Sequence, residues 1–344
     1  MEHNISEGFA PTGGAGANAL DMLKRAGRWL IRTQEGVLLL IIIALCVFLT
    51  IRSPVFLTGR NIGVLFSVVS MTAITAYAMT MLMISGEVDL SVGSVQALVG
   101  VAAMIVLNQT HNLALGIVVG LVIGAAVGLV NAGATLGLNI NSLIVTLAML
   151  NIIRGLAYLT TQAAVQNFHK MPSFARLGNG FLDLGFAHIP LPIVYMLVIF
   201  FVMLLIMTRT TFGRYVYAVG GNPRAAVLSG IRTRSIKTVA FVVTGMAAAT
   251  SAIILLSRMN SGQNNAGFGF EMQVVAAALL GGTGLGGGAG SLVGTFLAVL
   301  LLAILNNGIT LLRIHPNWSM IMNGILILLA IFLDSRRRQA AGLD

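Results

Sequence analysis

Long apolar runs recur along almost the whole chain, and they constrain the fold more than any other feature. A helix needs about 20 apolar residues to cross the roughly 30 Å hydrocarbon layer of a membrane. The candidate spans are residues 36–52, 62–84, 90–107, 113–136, 141–161, 190–208, 236–257, 267–282, 289–306 and 317–333. Backbone polar groups must be paired internally in lipid, and no series of short alternating strands suggests a barrel. We therefore predict an all-α polytopic membrane protein with about ten transmembrane helices. The third and eighth runs are short or broken, so we expect short or broken helices in each half of the chain.

The composition agrees with a chain that is solvated mostly by lipid. Hydrophobic residues make up 57% of the sequence and charged residues only 9%, whereas soluble domains carry roughly 25% charged residues. This excludes a soluble enzyme, a secreted domain and a disordered protein. The one cysteine, Cys46, leaves no intrachain disulfide to predict.

Basic residues cluster in three polar segments, and this predicts the orientation of the chain. The segments are the N-terminal tail, residues 209–237 and the C-terminus. Cytoplasmic loops of membrane proteins carry an excess of Lys and Arg, and ten spans place all three segments on one side. We expect a cytoplasmic tail over 1–34, a transmembrane domain over 35–335 with a cytoplasmic segment at 209–236, and a second cytoplasmic tail over 336–344. The net charge of +10 then reflects membrane orientation and not nucleic-acid binding.

Two polar interruptions, at 84–93 and 260–271, break the apolar pattern about half a chain length apart. Their candidate path residues are Glu87, Asp89, Gln263, Asn264 and Glu271. Paired broken segments in the two halves point to a transport path, and carboxylates within a membrane usually face a wet cavity or a partner. The alternative is that the acids cap helices, and both interpretations stay open. Arg154, inside the fifth run, is expected either to pair with an acid such as Glu271 or to lie near the outer interface.

Glycines recur at four-residue intervals along the fourth predicted helix. They are Gly116, Gly120, Gly124 and Gly128. This spacing puts them on one helix face and predicts close packing against another helix, with a moving contact during transport as the alternative. Gly282, Gly284 and Gly287 formally match a dinucleotide-binding pattern, but that pattern requires a preceding strand and a βαβ unit. We predict a tight turn at these glycines instead.

The segment 211–231 is predicted to contain a short amphipathic helix. Asn222 suits the N-cap, Pro223 the first helical position, and Gly230 the stop after residues 224–229. Its apolar side chains are Ala225, Val227 and Leu228. A short helix on the cytoplasmic side needs a partner to bury such side chains, so we predict a docking surface, with a solvated connector as the alternative.

Motifs for chemistry are absent from the sequence. A P-loop needs Gly-Lys followed by Ser or Thr, and none of the three lysines follows a glycine. The five histidines and one cysteine have no metal-ligand spacing. We predict no catalytic residue, no metal site and no cofactor in this chain.

Six short pieces, spread over about 36–335, together resemble a known family. They are residues 85–94 (SGEVDLSVGS), 210–214 (TTFGR), 220–226 (GGNPRAA) with 229–231 (SGI), 258–263 (RMNSGQ), 280–283 (LGGT) and 306–308 (NNG). The chain resembles the inner-membrane permease subunits of bacterial ABC importers for monosaccharides, most closely the ribose, xylose and arabinose permeases.

The resemblance implies a division of labour. Two permease subunits, identical or different, form the path for a pentose, a hexose or a related polyol. A periplasmic sugar-binding protein delivers the cargo, and a separate ATPase subunit binds ATP and Mg²⁺. The implied ATPase-coupling residues are Gly221, Asn222, Pro223, Arg224, Ala225, Ala226, Ser229, Gly230 and Ile231. The alternative function is an ion-coupled sugar symporter with Glu87 or Asp89 as proton carrier, and a passive channel is a third reading.

Overall fold

The computed structural model describes residues 33–161, 166–167, 171–183, 185 and 188–341. Over these residues the chain is an all-α bundle with two small two-stranded sheets, which confirms the predicted class. The helices are α1 Gln34–Arg52, α2 Gly59–Ile84, α3 Val92–Thr110, α4 Leu113–Ala132, α5 Ser142–Thr161, α6 Pro172–Asn179, α7 Leu191–Arg209, α8 Thr211–Gly221, α9 Pro223–Leu228, α10 Thr233–Met259, α11 Phe270–Leu280, α12 Leu292–Leu311 and α13 Trp318–Ala341. A π-helical turn at Gly133–Gly137 continues α4.

The short strands pair across the chain and within one hairpin. They are β1 Gln166–Asn167, β2 Phe181–Asp183, β3 His188–Pro190 and β4 Ser261–Gly262. The pair β1–β4 and the pair β2–β3 are both antiparallel.

The helices account for the predicted spans with two adjustments. Among the described residues, eight helices are long and apolar enough to cross a membrane, and α11 and the apolar part of α13 are shorter. The third run forms one continuous helix, α3, of 19 residues, whereas the eighth yields only the 11-residue α11. The tail predicted over 1–34 lies outside the described residues except for its last two. At the other end α13 continues to Ala341, so most of the tail predicted over 336–344 is helical.

Both ends of the described chain lie at one end of the bundle, here called the α9 end. This end carries α8, α9 and the connections 85–91, 138–141 and 281–291; the opposite end, carrying α6 and the two small sheets, is the α6 end. Gln34, at the start of α1, donates from Nε2 to the carbonyl oxygen of Leu280 at 2.5 Å. Leu329 of α13 lines the same apolar groove as Gln34. Two chain ends on the same side of the bundle are what an even number of membrane crossings would give.

The core is built around α10, which packs against α2, α3 and α4. Gln96 of α3 donates from Nε2 to the Ser251 hydroxyl at 2.8 Å, and that hydroxyl donates to the carbonyl oxygen of Met71 at 2.9 Å. The Thr244 hydroxyl lies 3.2 Å from the carbonyl oxygen of Ala78. Such interhelical hydrogen bonds stabilise helix packing where the hydrophobic effect between lipid-solvated helices is absent.

The four-residue glycine pattern lies where α4 meets its neighbours. All four glycines are buried. A side chain at Gly116 would overlap Leu107, and one at Gly120 would press on Ile253 and Val99. At Gly124 and Gly128 a Cβ would collide with the backbone of α10, at the carbonyl oxygens of Gly245 and Phe241 respectively. Backbone-to-backbone contact between α4 and α10 therefore requires Gly124 and Gly128, whereas Gly116 and Gly120 make room for neighbouring side chains.

Three helices, α2, α9 and α11, end at the α9 end with the same backbone pattern. Gly86 has φ of 88° and Gly282 φ of 98°, and each follows the last residue of its helix by two positions. The next N–H donates five residues back: Glu87 to Leu82 at 3.2 Å, and Thr283 to Ala278 at 3.0 Å. At α9, Gly230 has φ of 80° and the Ile231 N–H donates to the carbonyl oxygen of Ala226 at 3.0 Å. The shared pattern is a left-handed residue that ends a helix and lets the next N–H satisfy a carbonyl of its last turn.

Candidate functional site

The short helix α9 forms as its cap residues predict. Asn222 accepts a hydrogen bond at Oδ1 from the Ala225 N–H at 3.0 Å, and Pro223 occupies the first turn. Gly230, at φ of 80°, ends the element. Its side chains divide sharply: Ala226 is 4% exposed and packs inward, whereas Leu228 is 89% exposed. With α8 before it, the segment 211–231 contains two helices and not the single short one predicted.

The exposed side chains of this element form a small apolar protrusion surrounded by basic residues. Val227 is 58% exposed beside Leu228, and Arg224, Ala225, Ser229 and Gly230 are also exposed, with Ile231 half-buried. The segment 209–237 contains six basic residues and no acidic one. We call Arg224, Val227 and Leu228, with the backbone that presents them, the α9 surface.

Glu87 lies beside the α9 surface, paired with a residue that the sequence did not indicate as its partner. The Lys237 ammonium lies 2.6 Å from Glu87 Oε1, joining the end of α2 to the start of α10. Both side chains are mostly buried, with 11% of Glu87 and 16% of Lys237 exposed. The sequence did contain a signal for this pair, because Lys237 stands at the start of an apolar helix and a charge in such a position usually has a partner.

The ion pair borders a polar cavity of about 580 Å³ that opens at the α9 end. Its lining residues come from four parts of the chain: Gly86, Glu87, Thr135, Leu136, Asn139, Ile140, Asn141, Ser142, Pro223, Thr233, Arg234 and Lys237. This volume falls within the range of about 300–1,000 Å³ typical of small-molecule sites. We call it the α9-end cavity.

Asp89 is placed differently from Glu87, although only one residue separates them. Its carboxylate is fully buried and accepts hydrogen bonds from the Ser91 N–H at 2.8 Å and the Ser91 hydroxyl at 2.6 Å. The Asn131 side-chain amide of α4 donates to its other oxygen at 3.1 Å. In this conformation Asp89 holds the turn before α3 against α4 and lines none of the cavities described.

The second polar interruption passes beside α3 and α5 before α11 begins. Arg154 donates from its guanidinium to the carbonyl oxygens of Asn264 at 3.1 Å and Ala266 at 2.5 Å. The Asn264 side chain donates to the Thr161 hydroxyl at 3.2 Å. Among the described residues Arg154 makes no ion pair with Glu271 within 4.0 Å, although the two charges interact electrostatically. The backbone partners of Arg154 were not predicted.

Glu271 and Gln263 lie away from Glu87. The Glu271 carboxylate lies near the Gly269 backbone N–H at the start of α11, and its Oε2 packs against Gly93 without a hydrogen-bond partner. Gln263 borders a cavity of only about 10 Å³, which is about the space of one water molecule. The five candidate path residues thus occupy three separate places, and Glu87 is the one that lines a large polar cavity.

Comparison with known proteins assigns the chain to a family. Residues 61–331 match the family described as branched-chain amino acid transport system / permease component. The L-arabinose ABC transporter permease protein AraH of Azospirillum brasilense is 35% identical over 317 residues, covering 91% of each chain. The ribose import permease protein RbsC of Bacillus subtilis is 37% identical over 296 residues, covering 85% of this chain and 90% of its own.

A third relative gives the same result. The L-arabinose transport system permease protein AraH of Escherichia coli is 37% identical over 306 residues, covering 88% of this chain and 91% of its own. No solved structure matches the chain. The matched region runs from the start of α2 into α13 and includes α9 and both polar interruptions. The chain therefore belongs to the permease-component family of branched-chain amino acid transport systems, within which it is similar to the arabinose and ribose permeases.

Proposed function

We propose that this protein is the membrane-embedded permease subunit of an ATP-driven importer that carries a monosaccharide into the cell. The observation that carries the proposal is similarity, over about nine-tenths of the chain, to permeases whose names specify arabinose or ribose. The family description names branched-chain amino acids, so leucine is the competing cargo to test. The α9-end cavity, lined largely by amide, hydroxyl and charged groups, suits a polyhydroxylated solute better than an apolar side chain.

The proposal places the α9 end in the cytoplasm. Basic segments favour that side, and the described segment 209–237 carries its basic residues at this end. Both termini would then be cytoplasmic, and the α6 end would face the periplasm across a bacterial inner membrane.

The α9 surface is the docking site we propose for a separate ATPase subunit, which would hold ATP and Mg²⁺. Leu228 and Val227 project from a helix whose inner side is fixed by Ala226. A partner groove would bury the two exposed side chains, at roughly 25 cal/mol per Å² of apolar area covered. The surrounding arginines favour a groove with an acidic rim, because complementary charge raises association rates.

The α6 end is the surface we propose for a periplasmic sugar-binding protein. The β2–β3 hairpin there exposes Phe181 and Leu182, which are 62% and 42% exposed. A second permease subunit, either another copy or a related chain, would complete the path. Within this subunit Glu87 would line the inner part of the path, Asp89 would position α3, and Gln263, Asn264 and Glu271 would shape the outer part.

Reconstitution tests the function directly. The permease and its ATPase are incorporated in proteoliposomes with the ATPase side inward, and the binding protein is added outside. Uptake of labelled arabinose, ribose and leucine is then measured with and without internal ATP. We expect ATP-dependent sugar uptake that survives collapse of proton and sodium gradients by ionophores. Uptake that needs an ion gradient and not ATP would instead establish the symporter, and flux only down the solute gradient would establish a channel.

A further inference from the structure

Three chain segments meet through backbone atoms at the α9 end, beside the α9 surface. They are the end of α2 (Ile84 to Gly86), the end of α8 (Gly220 and Gly221) and the 281–291 connection at Gly287 and Gly288. We call this contact the glycine junction. The Gly288 N–H donates to the carbonyl oxygen of Ile84 at 2.8 Å, so a carbonyl in the last turn of α2 is satisfied by a distant loop.

The junction leaves no space for side chains. A Cβ at Gly220 would overlap the Ile84 carbonyl oxygen and would lie 2.6 Å from the Gly288 nitrogen. A Cβ at Gly287 would lie 3.0 Å from the Cα of Gly86. Gly287 and Gly288 also have φ of 78° and 76°, a region that other residues rarely adopt. Segments that touch through backbone cannot absorb a displacement by changing a rotamer, so movement of one is passed to the next.

The junction connects the α9 surface to the core helices. Asn222, the N-cap of α9, directly follows Gly221, the last residue of α8, so a single residue connects the two helices. The Tyr217 hydroxyl of α8 donates to the carbonyl oxygen of Gly290 at 3.2 Å and adds a second tie to the 281–291 connection. That connection joins α11 to α12, and the Thr295 hydroxyl of α12 lies 2.7 Å from that of Thr80 in α2.

We infer that the glycine junction is the element that transmits movement of α9 to the α9-end termini of α2, α11 and α12. The inference rests on the proposed function, in which an ATPase moves α9. Gly220 and Tyr217 are accordingly positioning residues for transport: they touch neither cargo nor nucleotide. Their contribution is to keep α8 in register with Ile84 and Gly290, so that α9 and the core move together.

A pair of glycine-to-alanine variants tests the junction. Gly220→Ala inserts a methyl group into the junction, whereas Gly133→Ala inserts one in the π-helical turn that continues α4, where nothing lies within 4 Å. In the reconstituted complex we expect Gly220→Ala to leave ATPase binding and basal ATP hydrolysis unchanged. The stimulation of ATP hydrolysis by sugar-loaded binding protein and the rate of sugar uptake should each fall about tenfold. The Gly133→Ala complex is expected to match the unaltered one in all four measurements.

The outcomes separate this inference from the proposed function. An assembled Gly220→Ala complex with full stimulation and uptake overturns the junction while leaving the importer intact. An unaltered complex without ATP-driven uptake overturns the importer itself. If Gly220→Ala does not assemble, Tyr217→Phe decides, because it removes only the hydroxyl that contacts Gly290. A lower ratio of uptake to ATP hydrolysis in that variant supports the junction, and an unchanged ratio refutes it.

Discussion

The ion pair between Glu87 and Lys237 predicts a measurable coupling between two residues 150 positions apart. At their separation of 2.6 Å, Coulomb attraction is about 6 kcal/mol for an effective dielectric constant of about 20 and about 1.6 kcal/mol in bulk water. Desolvation of the two mostly buried groups opposes this attraction. We expect a net coupling of about 2 kcal/mol, within the range of hydrogen bonds between charged groups.

A double-mutant cycle measures that coupling in the free energy of unfolding. Glu87→Gln and Lys237→Met are each expected to destabilise the protein by about 2–3 kcal/mol, because each leaves a mostly buried charge without its partner. The double variant should lose about 2 kcal/mol less than the sum of the two. Denaturant unfolding in detergent micelles, followed by tryptophan fluorescence, provides the four free energies.

Arg234→Gln is the matched control for this cycle. Arg234 lines the same α9-end cavity but is exposed, and it makes no ion pair within the part of the chain that the structure describes. Its loss should change the free energy of unfolding by less than about 0.5 kcal/mol. Single effects of Glu87→Gln and Lys237→Met that add to within about 0.3–0.5 kcal/mol would refute a coupled pair.

Three further predictions address helix packing, docking and the buried carboxylate. Gly245→Ala should cost about 1–3 kcal/mol in thermal unfolding, since its Cβ would collide with the Gly124 carbonyl, whereas Gly155→Ala, with open space around it, should be neutral or stabilising. Leu228→Asp should weaken co-purification of the ATPase by about tenfold or more without changing the melting temperature, and undiminished binding would exclude α9 as the docking element. Asn131→Ala should cost about 1–3 kcal/mol, because the Asp89 carboxylate loses a buried donor; an unchanged melting temperature would contradict that.

The spans and α9 could be predicted because their signals are local. The length of an apolar run reports a membrane helix, and Asn222, Pro223 and Gly230 specify the start and stop of a six-residue helix without help from the rest of the fold. The glycine spacing of α4 likewise predicted close packing, but it did not identify Gly245 of α10 as the partner, because the spacing describes only one of the two surfaces.

The site residues were predicted less well because their partners are distant in sequence. Glu87 and Asp89 share one polar segment, yet Glu87 reaches Lys237 at the cavity whereas Asp89 is fully buried against Ser91 and Asn131. No local pattern separates these two outcomes.

The short helix α11 has a consequence for mapping the chain with reporter fusions. Its 11 residues extend about 16 Å, roughly half the hydrocarbon thickness, so the non-helical stretch 260–269, anchored by Arg154, must cover the remaining depth. If this crossing, part helix and part non-helical chain, is left out, the number of membrane crossings becomes odd. Every residue from Leu292 onward is then assigned to the wrong side of the membrane. Fusions placed on either side of α11, before residue 260 and after Leu280, are therefore the informative pair, and they should report opposite sides.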